Sequence, residues 1–288
     1  MTDLQPRAAP VAYSNLIYLV PDTPLLISGI FGGPFVVFIL TPLRNALTLA
    51  SQDSVSSTVG IYRQCFQGGF LRGWTGGVYP SILAIPQFVT LGPLYHMFSG
   101  FMGPYLALFP TALTVTPFSM GAQCRNAQMA FNESITATSG RTRIANLSSS
   151  FSLVQPGLGA HIGRNVVGMT GIRVFAAPIN RELDTFFPSA SMNSKRTASD
   201  FLGSLCSGIL STPFHQTFNF LATSPQAREM NASQRFLLSV QFLKRQYWGP
   251  RGPSKTMLRD IALRSVYSMG LFGIYGTIER NMLDYWYK

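Results

Sequence analysis

The sequence predicts an all-α membrane protein in which six transmembrane helices form three helix–loop–helix repeats. Composition is the first reason: 47% of the 288 residues are hydrophobic and only 11% are charged, whereas about a quarter of the residues in soluble domains are charged. The second reason is a series of six apolar stretches, each about long enough to cross a hydrocarbon core of about 30 Å as a helix. These stretches cover residues 24–50, 76–98, 103–124, 159–180, 200–222 and 257–278.

The basic residues are distributed unevenly between the two ends of these stretches. Longer polar segments, which hold most of the bases, separate the first stretch from the second, the third from the fourth and the fifth from the sixth. The positive-inside rule places these polar segments on one side of the membrane, which is the matrix side in a mitochondrion. The chain therefore divides into an N-terminal segment (1–23) and repeats at 24–102, 103–198 and 199–288, the last with a C-terminal tail; together they form one domain.

A proline and a later glycine recur in each repeat. A Thr-Pro step lies in every odd-numbered stretch, where proline is expected to kink the helix, and a glycine then opens the even-numbered stretch that follows. The prolines are Pro42, Pro117 and Pro213, and the glycines are Gly76, Gly163 and Gly252. An internal repeat of this kind indicates one structural unit used three times.

With these repeats the chain resembles a mitochondrial carrier over about residues 24–285. Carriers open each even helix with an acidic–glycine pair followed by an aromatic–basic–glycine triplet, and Gly69 with Trp74-Thr75-Gly76 matches this spacing. The third repeat keeps the basic–glycine pair as Arg251-Gly252, whereas the second is the weakest, with His161-Ile162-Gly163.

The resemblance implies pseudo-threefold symmetry and short amphipathic helices on the matrix side. Residues 233–249 have apolar residues at helical spacing with bases opposite, which fits such a helix in the third repeat. Residues 133–152 are rich in Ser and Thr and predict a loop that precedes a short surface helix in the second repeat.

Cardiolipin is the lipid partner that the resemblance implies, because carriers hold its phosphates at the starts of their even helices. The amides exposed at a helix start favour anions in any case. The other interpretation left open is that Trp74 and the glycines serve only helix initiation and packing. The implied cardiolipin-binding residues are Trp74, Thr75, Gly76, Ile162, Gly163, Arg251 and Gly252.

The chain departs from carriers at the positions that form their matrix gate. Carriers place an acid and a base after each odd-helix proline, and the resulting ion pairs close the matrix side. Here no repeat keeps an acid–base combination, so a gate of this kind is not expected. The acid positions hold Arg44, Ser119 and His215, and the first basic positions hold Leu47, Ala122 and Phe218.

The resemblance also locates candidate substrate contacts, about seven residues after the even-helix glycines. These are Leu83, Thr170, Gly171 and Arg259, with Arg264 deeper in the last helix. A base inside a membrane segment is a functional candidate by default. The alternative is that these arginines pair with a partner protein, a helix carbonyl or a lipid phosphate.

Other classes of function find no support in the residues. Three widely spaced cysteines and three scattered histidines give neither a disulfide framework nor a metal site. The bases form no patch typical of nucleic-acid binding, despite a net charge of +11. No phosphate-binding loop, carboxylate pair or nucleophile triad indicates an enzyme, so no cofactor is expected.

The sequence therefore predicts a carrier-like protein of the mitochondrial inner membrane that no longer transports. It would act as an accessory subunit of a larger assembly, such as a respiratory complex or ATP synthase, or as a membrane-shaping factor. The alternative is a divergent transporter of a small anion that uses Arg259 and Arg264. The outer membrane is the less favoured location.

Overall fold

The computed structural model describes residues 23–135, 142–249 and 252–286, and over these ranges the chain is mostly helical. The all-α fold class predicted from the sequence is confirmed. Arg251, one of the implied cardiolipin residues, lies outside the described residues, as does nearly all of the N-terminal segment.

The helices of the described ranges group into six long segments, numbered here in chain order. Three segments contain one π-helical turn, and these turns are Ser28–Gly32, Gly171–Phe175 and Met269–Gly273. Segments 3 and 5 are single helices, Leu108–Ser134 and Met192–Thr223, and segment 2 (78–102) consists of Val78–Ile82 and Ala84–Met102. Segment 1 (23–50) consists of Thr23–Ile27, Ser28–Gly32, Gly33–Ile39 and Thr41–Ala50. Segment 4 (158–186) consists of Leu158–Thr170, Gly171–Phe175 and Ala176–Phe186, and segment 6 (255–286) of Lys255–Ser268, Met269–Gly273 and Ile274–Trp286.

Shorter elements connect segments 1 and 2 and segments 5 and 6. Helix Thr58–Gln64 is followed by a 3₁₀ turn at Phe70–Trp74, and helix Ala232–Tyr247 is preceded by a 3₁₀ turn at Pro225–Arg228. A two-stranded antiparallel hairpin, Trp248–Gly249 with Gly252–Pro253, leads into segment 6.

The six segments pack in sequence order as a closed ring, because each contacts the next and segment 6 contacts segment 1. In addition, Thr41–Ala50 of segment 1 contacts both segment 3 and segment 5, and segments 3 and 5 contact each other. The three odd-numbered segments therefore converge at the end of the ring where segment 1 terminates.

The structure also bears on whether individual helices are suited to a bilayer. No single helix in the described ranges is both long enough and apolar enough to cross a membrane by itself. The pair Thr23–Ile39 and Thr41–Ala50 meets the length and hydropathy requirements jointly, and the two parts are bent by 51°.

The three prolines occupy different positions within their segments. Pro42 lies in the first turn after the 51° bend in segment 1, where its missing N–H needs no helical partner. Pro117 and Pro213 lie inside continuous helices of segments 3 and 5. Kinks at these two positions remain predictions.

Several predicted boundaries differ from the structure for local reasons. Segment 3 begins at Leu108 rather than 103, because Gly103 ends the preceding helix with a φ of 82°. Segment 5 begins at Met192 rather than 200, because the Ser191 hydroxyl caps the helix by accepting the N–H of Ser194 at 3.1 Å.

The amphipathic helix predicted at 233–249 is confirmed, with bounds Ala232–Tyr247. Its start is fixed by a capping box in which Asn231 and Gln234 each bond the other's backbone N–H at 2.9 Å. The hairpin strand takes Trp248 and Gly249, so the helix ends two residues earlier than predicted.

The loop predicted at 133–152 is confirmed over residues 142–152, but the short surface helix expected after it is wrong: residues 153–157 contain no helix, and segment 4 begins at Leu158. Side chains of segment 3 bond the stretch 142–157 instead: Asn132 accepts the N–H of Ile144 at 2.8 Å and donates to its carbonyl at 2.9 Å. Its backbone also lies tightly against Gly121, where an added Cβ would lie 2.7 Å from the Ser150 carbonyl oxygen. These contacts hold the stretch in an irregular path of bends and turns that competes with helix formation.

Candidate functional site

The convergence of the odd-numbered segments is the first candidate site, because buried polar side chains of different segments meet there. Segments 1 and 3 are joined by a bond from Nδ2 of Asn126 to Oδ1 of Asn45 at 3.1 Å. Both amides also donate to the carbonyl of Thr75, at 2.9 Å from Asn126 and 3.1 Å from Asn45. Asn45 and Asn126 are buried, so this pair ties the start of segment 2 to two odd segments.

Segments 3 and 5 are joined by the amide of Gln128. Its Nε2 donates to the main-chain carbonyl of Ala222 at 2.9 Å and to the Ser148 hydroxyl at 2.9 Å. Its Oε1 accepts the N–H of Ser148 at 2.7 Å, so the same side chain also holds the irregular stretch 142–157.

Segments 1 and 5 are joined by the side chain of Gln52, which lies two residues after the end of segment 1. Nε2 of Gln52 donates to the Thr223 hydroxyl at 2.7 Å, and that hydroxyl donates in turn to the carbonyl of Asn219. All three interfaces between odd segments thus contain a hydrogen bond between neutral groups.

The positions that carriers use for gate ion pairs lie in the core beside these bonds. Leu47, Ala122 and Phe218 are at most 1% exposed. Ser119 donates to the carbonyl of Thr116 within its own helix. The ion pairs of the described residues join none of the odd segments to one another: they are Arg72–Glu133, Lys195–Asp184, Arg259–Asp260 and Arg280–Asp200.

A cavity of about 430 Å³ near the convergence is the second candidate site. One wall is the connection after segment 1, residues 54–58, which carries four hydroxyl groups; the other is the first turn of segment 6, with Lys255, Thr256, Leu258 and Arg259. Lys255 is exposed, as are the apolar side chains of Val55 and Leu258. The cavity therefore combines a cation and hydroxyl donors with an apolar rim.

Asp53 shapes the first wall of this cavity. Its Oδ1 accepts the N–H groups of Val55 at 2.7 Å and Ser56 at 3.0 Å, and its Oδ2 accepts the Ser56 hydroxyl at 2.7 Å. Partial burial opposes ionisation of this carboxyl, but the three hydrogen bonds and the Arg259 charge outweigh it and lower its pKa to about 2.

Arg259, a predicted substrate contact, holds the two walls together. Its Nη1 donates to the carbonyls of Asp53 at 2.7 Å and Ser56 at 3.0 Å, and its Nη2 donates to the carbonyl of Ala50 at 2.8 Å. Its Nε bonds Asp260, which is fully buried. The guanidinium is thus fully engaged in positioning segment 6 against the end of segment 1.

The other predicted substrate contacts lie apart from this cavity. Leu83 is half-buried at the break between the two helices of segment 2, and Thr170 bonds the carbonyl of Val167 in its own helix. Gly171 packs against segment 5, where an added Cβ would lie 2.7 Å from Oγ of Ser207. Arg264 is buried, with its Nε donating to the Ser211 hydroxyl at 3.1 Å.

The implied cardiolipin residues of the first repeat form a packed helix start. The rings of Trp74 and Phe70 are in contact at an interplanar angle of 50°, with centroids 5.0 Å apart. The carbonyl of Thr75 accepts the two amide bonds described above, and Gly76 has a φ of 72°. An added Cβ at Gly76 would lie 2.9 Å from Nδ2 of Asn126, so the glycine permits that close approach.

The implied cardiolipin residues of the second and third repeats have different surroundings from those of the first. Ile162 is half-buried against the core of segments 2 and 3, and Gly163 faces the ring of Phe214, which an added Cβ would approach to 2.8 Å. Gly252 lies in the hairpin with a φ of 106° and open space around it, three residues before the cavity wall begins at Lys255.

No protein-family model and no curated protein matches this chain. The functional assignment therefore rests on the residues and their geometry. Within the described ranges, no three His, Cys, Asp or Glu side chains come together as a metal site.

The amide side chains that join the odd-numbered segments were not predicted from the sequence. Their signal is the placement of Asn and Gln in long helices that are otherwise apolar, such as Asn126 and Gln128 in segment 3. A polar side chain that is buried in such a helix needs a partner, and the neighbouring helices supply it here.

Proposed function

We propose that this chain is a carrier-like integral protein of the mitochondrial inner membrane, with its six segments spanning the bilayer in three repeats, and that it does not transport. It acts as an accessory subunit of a larger complex, such as a respiratory complex or ATP synthase. The observation that carries the proposal is the replacement of switchable ion pairs by neutral bonds between the odd segments. One of these bonds, donated by Gln128 of segment 3, ends on the main-chain carbonyl of Ala222 in segment 5.

The reason is energetic. A gate must exchange two states of similar free energy, and buried ion pairs suit this because their attraction is offset by a large desolvation term. An amide bonded to a buried carbonyl resists opening, because opening it leaves a desolvated polar group without a partner, which costs about 1–3 kcal/mol. The convergence at Asn45, Asn126 and Gln128 is therefore suited to permanent closure.

Exposed apolar side chains support a membrane or partner environment for the outside of the ring. Large apolar groups are exposed on all six segments, whereas soluble monomers rarely expose large contiguous apolar patches. Examples are Phe35, Ile82, Phe109, Leu210 and Val266, each at least 48% exposed.

Cardiolipin fits the cavity between residues 54–58 and the start of segment 6. Lys255 and the serine hydroxyls offer partners to a phosphate group, and exposed Val55 and Leu258 offer apolar surface to the acyl chains. The cavity lies directly after Gly252, one of the three positions at which the carrier resemblance implies this lipid.

Native gel electrophoresis of mildly solubilised mitochondrial membranes tests the proposal. We expect the chain to co-migrate with a respiratory complex or ATP synthase and to dissociate from it only in harsher detergent. Migration as a free monomer of 31.6 kDa under mild conditions would count against an accessory subunit.

The second candidate function, transport of a small anion, is favoured by the buried position of Arg264 inside the ring. Reconstitution into liposomes separates the two functions. Saturable anion exchange that Arg264→Gln abolishes would establish transport and overturn the accessory role, whereas no flux above that of empty liposomes agrees with it.

A further inference from the structure

Five buried basic side chains from four segments meet inside the ring. Arg44 of segment 1, Arg164 and His161 of segment 4, His215 of segment 5 and Arg264 of segment 6 are each at most 6% exposed. His215 bonds Arg164, and the Tyr267 ring lies 6.1 Å from the His215 ring and 5.2 Å from the Arg264 guanidinium. Arg44 is close enough for its charge to affect Arg164 and His215. We call these five residues the basic centre.

Hydrogen bonds within the basic centre fix the tautomers of both histidines. Nη1 of Arg164 lies 3.0 Å from Nδ1 of His215, and its Nη2 lies 2.9 Å from Nε2 of His161. A guanidinium only donates, so these two ring nitrogens must be the acceptors. The proton of His161 is then on Nδ1 and that of His215 on Nε2.

Four further polar atoms of the basic centre are buried donors without acceptors among the described residues. Nδ1 of His161, Nε2 of His215, and Nε and Nη1 of Arg44 are buried with no partner among the described residues. Arg44 makes one bond, from Nη2 to the Thr41 hydroxyl, and Arg264 donates through Nε to Ser211. These four atoms carry five polar hydrogens, which need acceptors that the described residues do not provide.

The charges are likewise unbalanced. The four ion pairs of the described ranges use other bases, so no carboxylate lies within salt-bridge distance of the basic centre. Arginine keeps its proton even when buried, so the centre cannot relieve its repulsion by losing protons. The rings of Phe218 and Tyr267 lie about 5 Å from Arg164 and Arg264, but a cation–π contact offsets only part of the desolvation of a buried charge.

We propose that the basic centre binds one small inorganic oxyanion, of the size and charge of phosphate, which acts as the missing counter-ion of Arg44, Arg164 and Arg264. An oxyanion suits this set because its oxygens accept several N–H bonds at once, and guanidinium groups match that geometry. A free ion is favoured over a lipid headgroup, because every member of the centre is buried inside the ring. The site differs from the cavity at residues 54–58, which is open to the surface.

The proposal holds whether or not the chain transports. In an accessory subunit the anion is structural and stabilises the packing of segments 1, 4, 5 and 6 against one another. Binding without flux in liposomes therefore supports both proposals, whereas flux would overturn the accessory role and leave the anion site intact.

Native mass spectrometry and thermal unfolding of the full-length chain in detergent, with inorganic phosphate as the probe, test the inference. We expect a single phosphate adduct and an unfolding midpoint that rises with phosphate but not with chloride at equal ionic strength. Arg264→Gln and Arg44→Gln should each weaken phosphate binding by about tenfold or more, because each removes a charged donor. The exposed Arg245→Gln should bind like the wild type.

A second measurement keeps the test valid if a variant were unstable. In phosphate-free buffer, Arg264→Gln should unfold at the same temperature as the wild type or higher, because removing one of three like charges relieves repulsion. An equal midpoint shift with chloride, or an undiminished phosphate shift in both arginine variants, would overturn the proposal. A phospholipid adduct that Arg264→Gln removes, in the absence of phosphate binding, would also overturn it.

Discussion

The side-chain amides of Asn45 and Asn126 lie in hydrogen-bond contact, with Nδ2 of Asn126 at 3.1 Å from Oδ1 of Asn45. Each residue belongs to a different odd-numbered segment, and each also donates to the carbonyl of Thr75, where segment 2 is about to begin. One buried amide pair therefore connects three consecutive segments of the ring. The proposal of a permanently closed protein depends on this kind of link.

Replacement of Asn126 by alanine should destabilise the folded state. The change removes two donated bonds and leaves the buried Oδ1 of Asn45 without a partner, which costs about 1–3 kcal/mol. Thermal unfolding in detergent is the measurement, and Asn146→Ala, at an exposed position, is the control that should change little. Equal effects of the two substitutions would show that the buried amide pair is not a main contact.

The helical fold could be predicted from the sequence because the apolar stretches are long and separated by polar segments. Their ends could not, because a segment such as 108–134 continues through Asn126 and Gln128, which look like loop residues until their partners are known. Segment 5 likewise begins at a serine cap eight residues before the apolar stretch does. Helix ends depend on caps and on buried polar bonds, which hydropathy does not record.

The candidate sites were only partly predictable, for a different reason. Arg259 was singled out as a substrate contact from its spacing, yet its guanidinium bonds three carbonyls from residues more than two hundred positions earlier in the chain. The basic centre likewise combines residues from four segments. Such contacts depend on how the ring closes, and one unaligned sequence carries no information on that closure.

A methyl group at Gly121 should displace the stretch 142–157. An added Cβ there would lie 2.7 Å from both the carbonyl oxygen of Ser150 and the nitrogen of Ser152, and backbone atoms have little freedom to move away. We expect Gly121→Ala to lower the unfolding midpoint and to increase protease cleavage within 142–157.

The matched control for that substitution is Gly92→Ala in segment 2, where the added methyl meets nothing within 4 Å. This change should be neutral or stabilising by up to about 1 kcal/mol, because alanine favours a helix over glycine. Protease cleavage of 142–157 that is the same in both variants would contradict the tight packing against Gly121.

Replacement of Lys255 by glutamine should reduce cardiolipin binding without unfolding the protein. Lys255 is exposed at the cavity and supplies a positive charge for a lipid phosphate, so its loss should lower the number of cardiolipin molecules retained in native mass spectrometry. Lys244→Gln, on the exposed face of Ala232–Tyr247, removes the same charge away from the cavity and should retain the lipid. Equal retention by both variants and the wild type would exclude this cavity as the lipid site.

Acidification should weaken the cavity wall through Asp53, in a pH range that the structure defines. Its folded-state pKa of about 2 lies below the ordinary value of about 3.9, so the ionised carboxyl stabilises the fold at neutral pH. That contribution is complete above the unfolded-state pKa and is lost as the pH falls through the folded-state pKa. The difference in unfolding midpoint between wild type and Asp53→Asn should therefore be constant above about pH 4 and shrink from there towards about pH 2. The same titration with Glu229→Gln, at an exposed carboxyl, serves as the control, and a difference for Asp53→Asn that grows on acidification would contradict the assigned hydrogen bonds.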